Sequence, residues 1–188
     1  VLRRGGGRGQ VRRLGLEARR RLPGGHLGIV GVVGHSPDAK DILLDGLAIL
    51  QNRGYDSAGM ATLKRGTNEL AVTKYASKGS TADSIALVRA HAEKHAGHHV
   101  GIAHTRWATH GPPAPRNSHP HTSDKTNEFL VVHNGIITNH QPLKEMLQRK
   151  GFAFESDTDT EVIPKLTKYL FDKFKTQGIT FRQLVMEV

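Results

Sequence analysis

The sequence predicts an α+β fold in which antiparallel strand pairs alternate with helices. Two predicted strands, at 57–63 and 70–75, follow one another with no helix between them, and two more, at 100–103 and 129–133, are separated by a loop. Such consecutive strands are typical of antiparallel pairing, whereas a parallel sheet requires a longer, usually helical, crossover. No internal repeat is visible, so one layered domain is expected rather than an array.

The first strand after the N-terminal segment and the first two helices are indicated by local signals. GIVGVVG at 28–34 is apolar and β-branched, as expected for a buried strand. Ser36 followed by Pro37 is a helix-start signal, and apolar residues at helical spacing extend to near Gly54. A second helix is expected from Ser80 to about His95.

Besides the strands at 100–103 and 129–133, the second half of the sequence predicts three helices and one short strand. Residues 105–127 contain four prolines and little periodicity, which indicates a loop. Asn139 is a predicted helix cap, and Thr158 with Glu161 has the spacing of a capping box. The predicted segments are a helix at 139–151, a strand at 152–154, a helix at 158–174 and a helix from 180.

The positive charge is concentrated at the N-terminus. The net charge is +10, and residues 1–26 hold eight arginines against one acid, which leaves +3 for the other 162 residues. We expect an Arg/Gly-rich disordered tail at 1–26 and a folded domain at 27–188. An organelle transit peptide, RNA binding through the Arg/Gly segment and a non-native origin of the segment remain alternatives. The folded part is too weakly basic to indicate a nucleic-acid-binding domain, and no apolar run is long enough to span a membrane.

Residue types exclude several kinds of site. The chain contains no cysteine, so disulfides and thiolate zinc sites are excluded. Its histidines show no H-E-x-x-H or similar metal-binding spacing, so no metal is expected. No G-x-S-x-G elbow marks a serine nucleophile.

Polar residues that could hold an amino acid follow two of the predicted elements. Arg106 offers a planar fork for a carboxylate, and Asp159 could receive an α-ammonium group. Thr109 and the backbone around His110 could add hydrogen bonds. The residue types also fit simpler roles: Arg106 could brace its loop, Asp159 could cap a helix, and Trp107 could pack in the core.

Asn134 and Gly135 follow the predicted strand at 129–133. An Asn side-chain N–H and a Gly backbone N–H that point to one spot would stabilise an oxyanion. From spacing alone, however, Asn-Gly is first of all a common turn pair.

Five strings in register resemble the glutamine–fructose-6-phosphate aminotransferase (isomerising) family, whose members are also called glucosamine-6-phosphate synthases. The strings are RGYDSAG, GIAHTRWATHG, NSHPH, VVHNGI and SDTDTEVI, and the match covers about 28–188. Related type-II amidotransferases, such as amidophosphoribosyltransferase and asparagine synthase, share the plan. They differ in RGYDSAG and HTRWATHG, which favours the hexosamine-forming family.

The resemblance implies an N-terminal-nucleophile hydrolase fold, a four-layer αββα sandwich of two antiparallel sheets, truncated here. It implies hydrolysis of glutamine to glutamate and ammonia without a cofactor, in the cytoplasm. Ammonia would pass to a sugar-phosphate isomerase domain, which we expect after residue 188 and through which the protein could form homo-oligomers.

The resemblance also assigns residue roles. Arg106 would bind the α-carboxylate of glutamine and Asp159 its α-amino group. Asn134 and Gly135 would form the oxyanion hole. The remaining implied pocket residues are Thr109 and His110 in the lining and Trp107 at the edge.

The sequence departs from the family at the nucleophile. The family begins with a cysteine whose thiol attacks the amide and whose free α-amino group acts as the base. Leu27 stands at that position, after 26 further residues. We therefore expect glutamine binding without hydrolysis, either because the first 27 residues are not the natural ones or because the protein is a non-catalytic glutamine-binding pseudoenzyme.

Overall fold

The computed structural model describes residues 1–3, 28–36, 38–51, 56–78, 83–107 and 112–188. In this part of the chain, two antiparallel sheets pack face to face between two layers of helices. The α+β class and the four-layer αββα arrangement predicted from the sequence are confirmed. No helix in the described ranges has the length and apolarity needed to cross a bilayer.

The larger sheet has four strands in the order β2-β5-β3-β4, and every neighbouring pair is antiparallel. The strands are β2 (Gly28–Val33), β3 (Ser57–Leu63), β4 (Leu70–Ala76) and β5 (Val100–Arg106). Strands β3 and β4 form the predicted hairpin. The strand predicted at 100–103 is three residues longer because His104, Thr105 and Arg106 continue the ladder, with Arg106 opposite Ser57.

The smaller sheet has the order β1-β7-β6 and is also antiparallel. Its strands are β1 (Leu2–Arg3), β6 (His121–Thr122) and β7 (Phe129–Val131). Leu2 pairs with Leu130 and is buried. These N-terminal residues belong to the segment for which disorder was predicted, and residues 4–27, including Leu27, lie outside the described part of the chain.

The described part of the chain contains five α-helices, three of which pack directly on the sheets. They are α1 (Ala39–Ile49), α2 (Ser84–Ala90), α3 (His140–Arg149), α4 (Val162–Phe174) and α5 (Phe181–Met186). Helices α1 and α2 pack on the larger sheet, α4 packs on the smaller sheet, and α3 and α5 pack on α4. Helix α5 starts with a complete capping box between Thr180 and Gln183.

The core has two parts, one on each side of the larger sheet. Between this sheet and helices α1 and α2, the buried residues include Leu43, Leu47, Met60 and Val88. Between the two sheets, a smaller cluster is formed by buried Leu2, Ala61 and Leu130, with partly buried neighbours from β3, β4 and β5. The second cluster holds the sheets face to face.

Two details of the sequence prediction are wrong. The aromatic segment at 152–154 forms no strand; instead Phe154 lies beneath the ammonium groups of Lys144 and Lys165, each 5.2 Å from the ring centre. The capping box predicted from Thr158 and Glu161 does not form, because the Glu161 carboxylate accepts hydrogen bonds from residues 155 and 156 instead.

One glycine permits the close approach of the loop before β6 to the larger sheet. Gly59 lies in the middle of β3, and a Cβ atom there would overlap the carbonyl oxygen of His119 and lie 3.0 Å from the carbonyl oxygen of Thr73. Both obstructing atoms belong to the backbone, so neither can move aside as the end of a flexible side chain would. The segment around His119 can therefore rest on β3 only because residue 59 has no side chain.

We expect Gly59→Ala to lower the free energy of unfolding by about 1–3 kcal/mol, the usual effect of overpacking a close-packed interior. Gly31→Ala in β2 is the matched control, because a Cβ atom there meets nothing within 4 Å. The control should be neutral or slightly stabilising, since alanine restricts the unfolded chain. Urea unfolding of both variants measures the difference, and equal stabilities would contradict the packing argument.

Candidate functional site

The site forms where β5 of the larger sheet ends beneath the loop after β7. Arg106, the last residue of β5, is 4% exposed, and its Nη1 lies 4.0 Å from Oδ1 of Asp56, which precedes β3. Burial lowers the pKa of Arg106, whereas the nearby carboxylates of Asp56 and Asp159 raise it. Arg106 is therefore a buried cation with two anions near it.

Asp159 is fixed by the backbone of the loop after β7. Its Oδ2 accepts a hydrogen bond of 2.7 Å from the backbone N–H of Ile137, and its side chain is buried. Ile137 is three residues beyond Asn134, so this bond joins the start of the 3₁₀ turn at Asp159–Glu161 to the Asn134–Gly135 loop. Asp159 thus acts on both Arg106 and the predicted oxyanion-binding loop.

Asn134 is bound by a histidine of β5. Its Oδ1 lies 2.7 Å from Nε2 of His104, which is two residues before Arg106 and has a buried ring. Residues two apart on a strand point to the same face of the sheet. His104 and Arg106 therefore share the face of β5 that meets the loop of Asn134.

Gly135 has a backbone conformation that favours glycine. Its φ is +155°, and a Cβ atom there would lie 2.8 Å from Nε2 of His133. The His133 ring is in turn held by Thr160, whose hydroxyl lies 3.2 Å from His133 Nδ1. The turn geometry and the adjacent ring together require residue 135 to lack a side chain.

A second set of hydrogen bonds fixes the segment before Asp159. The Glu161 carboxylate accepts from the backbone and hydroxyl of Ser156, both at 2.7 Å, and pairs with Lys165 at 3.1 Å. Asn117 and Asp157 exchange two hydrogen bonds: the backbone N–H of Asp157 donates to Asn117 Oδ1, and Asn117 Nδ2 donates to the Asp157 carboxylate. These contacts tie residues 155–161 to the loop before β6.

Three histidine rings stack beneath the site. His104 is stacked on His119 with ring centres 4.2 Å apart, and His119 meets His121 edge-on at 4.6 Å. His121 Nε2 reaches the hydroxyl of Thr158 at 3.0 Å, which joins the stack to the segment that carries Asp159.

All three rings are neutral at physiological pH. Desolvation lowers the pKa of His104 to about 4 despite its hydrogen bonds to Asn134 and to the backbone of His133. Desolvation, the neighbouring rings and the charge of Arg106 lower the pKa of His119 well below its ordinary value. The pKa of His121 is lowered in the same way, with Lys74 as the largest charged contributor.

Among the predicted site residues, Asp159 interacts electrostatically with Arg106, and Asn134 is bound by His104, two residues before Arg106 on β5. Trp107 follows Arg106 at the end of β5 and is 43% exposed. The remaining three predicted residues, Leu27, Thr109 and His110, lie outside the described residues.

Sequence reasoning missed the histidines that support the site. His104 is in the GIAHTRWATHG string and His119 and His121 are in NSHPH, but their roles depend on stacking between two sheets. Within the described ranges, no group of three or more His, Asp or Glu side chains is arranged to hold a metal ion.

Comparison with known proteins places the chain in one family. A family model described as a glutamine amidotransferase domain matches residues 104–180. Glutamine–fructose-6-phosphate aminotransferase [isomerizing] 1 of Arabidopsis thaliana is 49% identical over 157 residues, which cover 79% of this chain and 23% of that protein. This chain is a glutamine amidotransferase domain.

Other relatives extend the similarity of the amidotransferase domain to animals and bacteria. Glutamine–fructose-6-phosphate aminotransferase [isomerizing] 2 of Homo sapiens is 47% identical over 156 residues, or 79% of this chain and 23% of that protein. Glutamine–fructose-6-phosphate aminotransferase [isomerizing] of Escherichia coli O6:H1 is 44% identical over 160 residues, which cover 85% of this chain and 24% of that protein. The chain thus spans about a quarter of the length of these relatives.

Solved structures support the fold of the amidotransferase domain. The glutamine phosphoribosylpyrophosphate amidotransferase of B. subtilis, complexed with ADP and GMP, superposes with a TM-score of 0.63 at 27% identity. The superposition covers 84% of this chain and 31% of that one. The N-terminal-nucleophile type of fold implied by the sequence is confirmed.

We expect the stability of the domain to fall as the pH is lowered from about 6.5 to about 4. Burial lowers the pKa of His104 to about 4, and also that of His95, whose ring binds Thr62 and Thr73 beneath β3 and β4. An unfolded histidine titrates near pH 6.5, so in this window the unfolded state binds more protons than the native state. Each such histidine should lower the free energy of unfolding by about 1 kcal/mol per pH unit.

Urea unfolding at pH 7, 6 and 5 measures this slope. Carboxyl groups remain mostly ionised in both states above pH 5, so the histidines dominate there. His104→Gln removes one titrating group and should flatten the curve. A free energy of unfolding that stays constant between pH 7 and 5 would show that these rings are not buried in the neutral form.

Proposed function

We propose that the domain binds L-glutamine through its α-carboxylate, its α-ammonium group and its side-chain amide. The observation that carries the proposal is the buried guanidinium of Arg106 near the carboxylates of Asp56 and Asp159, because Asp159 is also bound to the loop that carries Asn134 and Gly135. One cation and one anion at fixed positions complement the two charges of a free amino acid. A guanidinium also offers two parallel N–H groups to a carboxylate, which a lysine cannot do.

The side chain of the bound amino acid would extend toward the loop after β7. There, the amide of Asn134 and the backbone N–H of Gly135 are suited to receive the oxygen of a carboxamide. The same donors would stabilise the negative charge that develops on this oxygen when a nucleophile attacks. A carboxamide therefore suits this end of the site better than the carboxylate of glutamate.

We expect Arg106→Lys to weaken glutamine binding by about tenfold or more. The variant keeps the positive charge but loses the two parallel N–H groups, and a charge-assisted hydrogen bond is worth about 1.5–3 kcal/mol. Asp159→Asn should cause a similar loss by removing the partner of the α-ammonium group. Titration calorimetry with L-glutamine measures both.

Arg149→Lys on the exposed end of α3 is the matched control and should bind as the unaltered protein does. If the unaltered protein binds no glutamine at millimolar ligand, or if all three variants bind equally well, the assignment of the site is wrong.

Hydrolysis of the bound amide by the route that the resemblance implies requires a cysteine thiol, which this chain does not contain. The sequence has no cysteine, and leucine occupies position 27, where the resembling family has its N-terminal cysteine. We infer that the chain as it stands binds glutamine without releasing ammonia. In a longer protein with the cysteine, the ammonia would serve a sugar-phosphate acceptor domain, as the names of the relatives suggest for those proteins.

We expect glutaminase activity to appear when residues 1–26 are removed and the substitution Leu27→Cys places a cysteine at the new N-terminus. The change supplies the thiol and the free α-amino group together. Leu27→Ser at the same new terminus is the control, because a hydroxyl is a much weaker nucleophile at neutral pH. Glutamate production, assayed with a coupled dehydrogenase, should be at least a hundredfold higher for the cysteine variant; equal rates would mean that the pocket does not align the amide.

A further inference from the structure

We propose that His104 is a positioning residue that turns the side-chain amide of Asn134 so that its NH₂ group, not its carbonyl oxygen, serves the ligand. The inference rests on the proposed function, since it assigns a role within the glutamine site. His104 itself touches no ligand in this proposal. It acts through the 2.7 Å contact between its Nε2 and Asn134 Oδ1.

The amide of Asn134 has two possible orientations with opposite consequences. With the oxygen toward His104, the two N–H groups are at the opposite end of the amide and can donate to a substrate oxygen. With the amide reversed, an oxygen would face a substrate oxygen and the two would repel. The tautomer of His104 decides between them, because only an Nε2–H ring can donate to Oδ1.

The surroundings of His104 select the Nε2–H tautomer. The other ring nitrogen, Nδ1, is buried and has no hydrogen-bond partner among the described residues. A proton on Nδ1 would therefore be a buried donor without an acceptor, which folded proteins rarely tolerate. With the proton on Nε2, the unpartnered atom is an acceptor, and the donor is used by Asn134.

The stack of rings keeps this arrangement in place. His119 is stacked on His104 and also contacts the ring of His121, which is itself bound by the hydroxyl of Thr158. The imidazole must also stay neutral, because a cationic ring next to Arg106 would be repelled. Burial and the charge of Arg106 both act against protonation. His104 thus donates a hydrogen bond without adding a charge.

The test compares L-glutamine with L-norvaline, which has the same α-groups but an alkyl side chain without an amide. Both are titrated by calorimetry into the full chain and into His104→Phe, which keeps a stacking ring but has no donor. We expect the affinity for glutamine to fall about fivefold, the equivalent of one neutral hydrogen bond, while that for norvaline is unchanged. His104→Gln carries an amide N–H and should recover most of the loss.

A loss of affinity for both ligands would show a merely structural role and would overturn the proposal, as would an unchanged affinity for glutamine. When Asn134→Ala is already present, the further change His104→Phe should not alter the affinity for glutamine. An additional loss of affinity would also overturn the proposal. If the unaltered protein binds neither ligand, the proposed function fails. The ¹⁵N spectrum of His104 in the unaltered protein then still decides this inference, since an Nδ1–H tautomer excludes it.

Discussion

The site depends on the close contact between the backbone at His119 and β3 at Gly59. This contact brings the loop before β6 onto the larger sheet, so that the ring of His119 lies against that of His104. The same loop carries Asn117, which binds Asp157, and is followed by His121, which binds Thr158. A single close approach of two backbones therefore aligns the elements from both sheets that form the site.

The electrostatic balance of the site follows from how deeply these elements are buried. A guanidinium removed from water must have nearby anions, since an unpaired buried charge is very costly. Asp56 and Asp159 provide them from two different segments, one before β3 and one before α4. Asp159 is also anchored by the backbone N–H of Ile137, so the position of its carboxylate does not depend on Arg106 alone. The charges that stabilise this part of the fold are also the ones that the proposed binding of a zwitterion requires.

The sequence predicts the fold better than it predicts the support of the site. Strand β3 was predicted with its observed bounds, because its apolar run has little ambiguity. Strand β5 was predicted too short, because His104 and Arg106 are polar and only the second sheet buries them. Glu161 was assigned to a cap because local spacing cannot reveal its bonds to Ser156. The motifs predict Arg106, Asp159, Asn134 and Gly135 as site residues, whereas the neutral histidine stack became visible only in three dimensions.

Neutral imidazoles suit this position better than other hydrogen-bond donors would. A lysine or arginine at residue 104 would add a second buried cation near Arg106, and its repulsion would weaken the hold on the ligand carboxylate. A serine or threonine hydroxyl could rotate and either donate or accept, so it would not select one orientation of Asn134. A histidine whose pKa is lowered to about 4 has a single proton on a rigid ring. In the arrangement we propose, such a ring beneath the loop after β7 sets which end of the Asn134 amide faces the ligand, and it does so without changing the charge of the site.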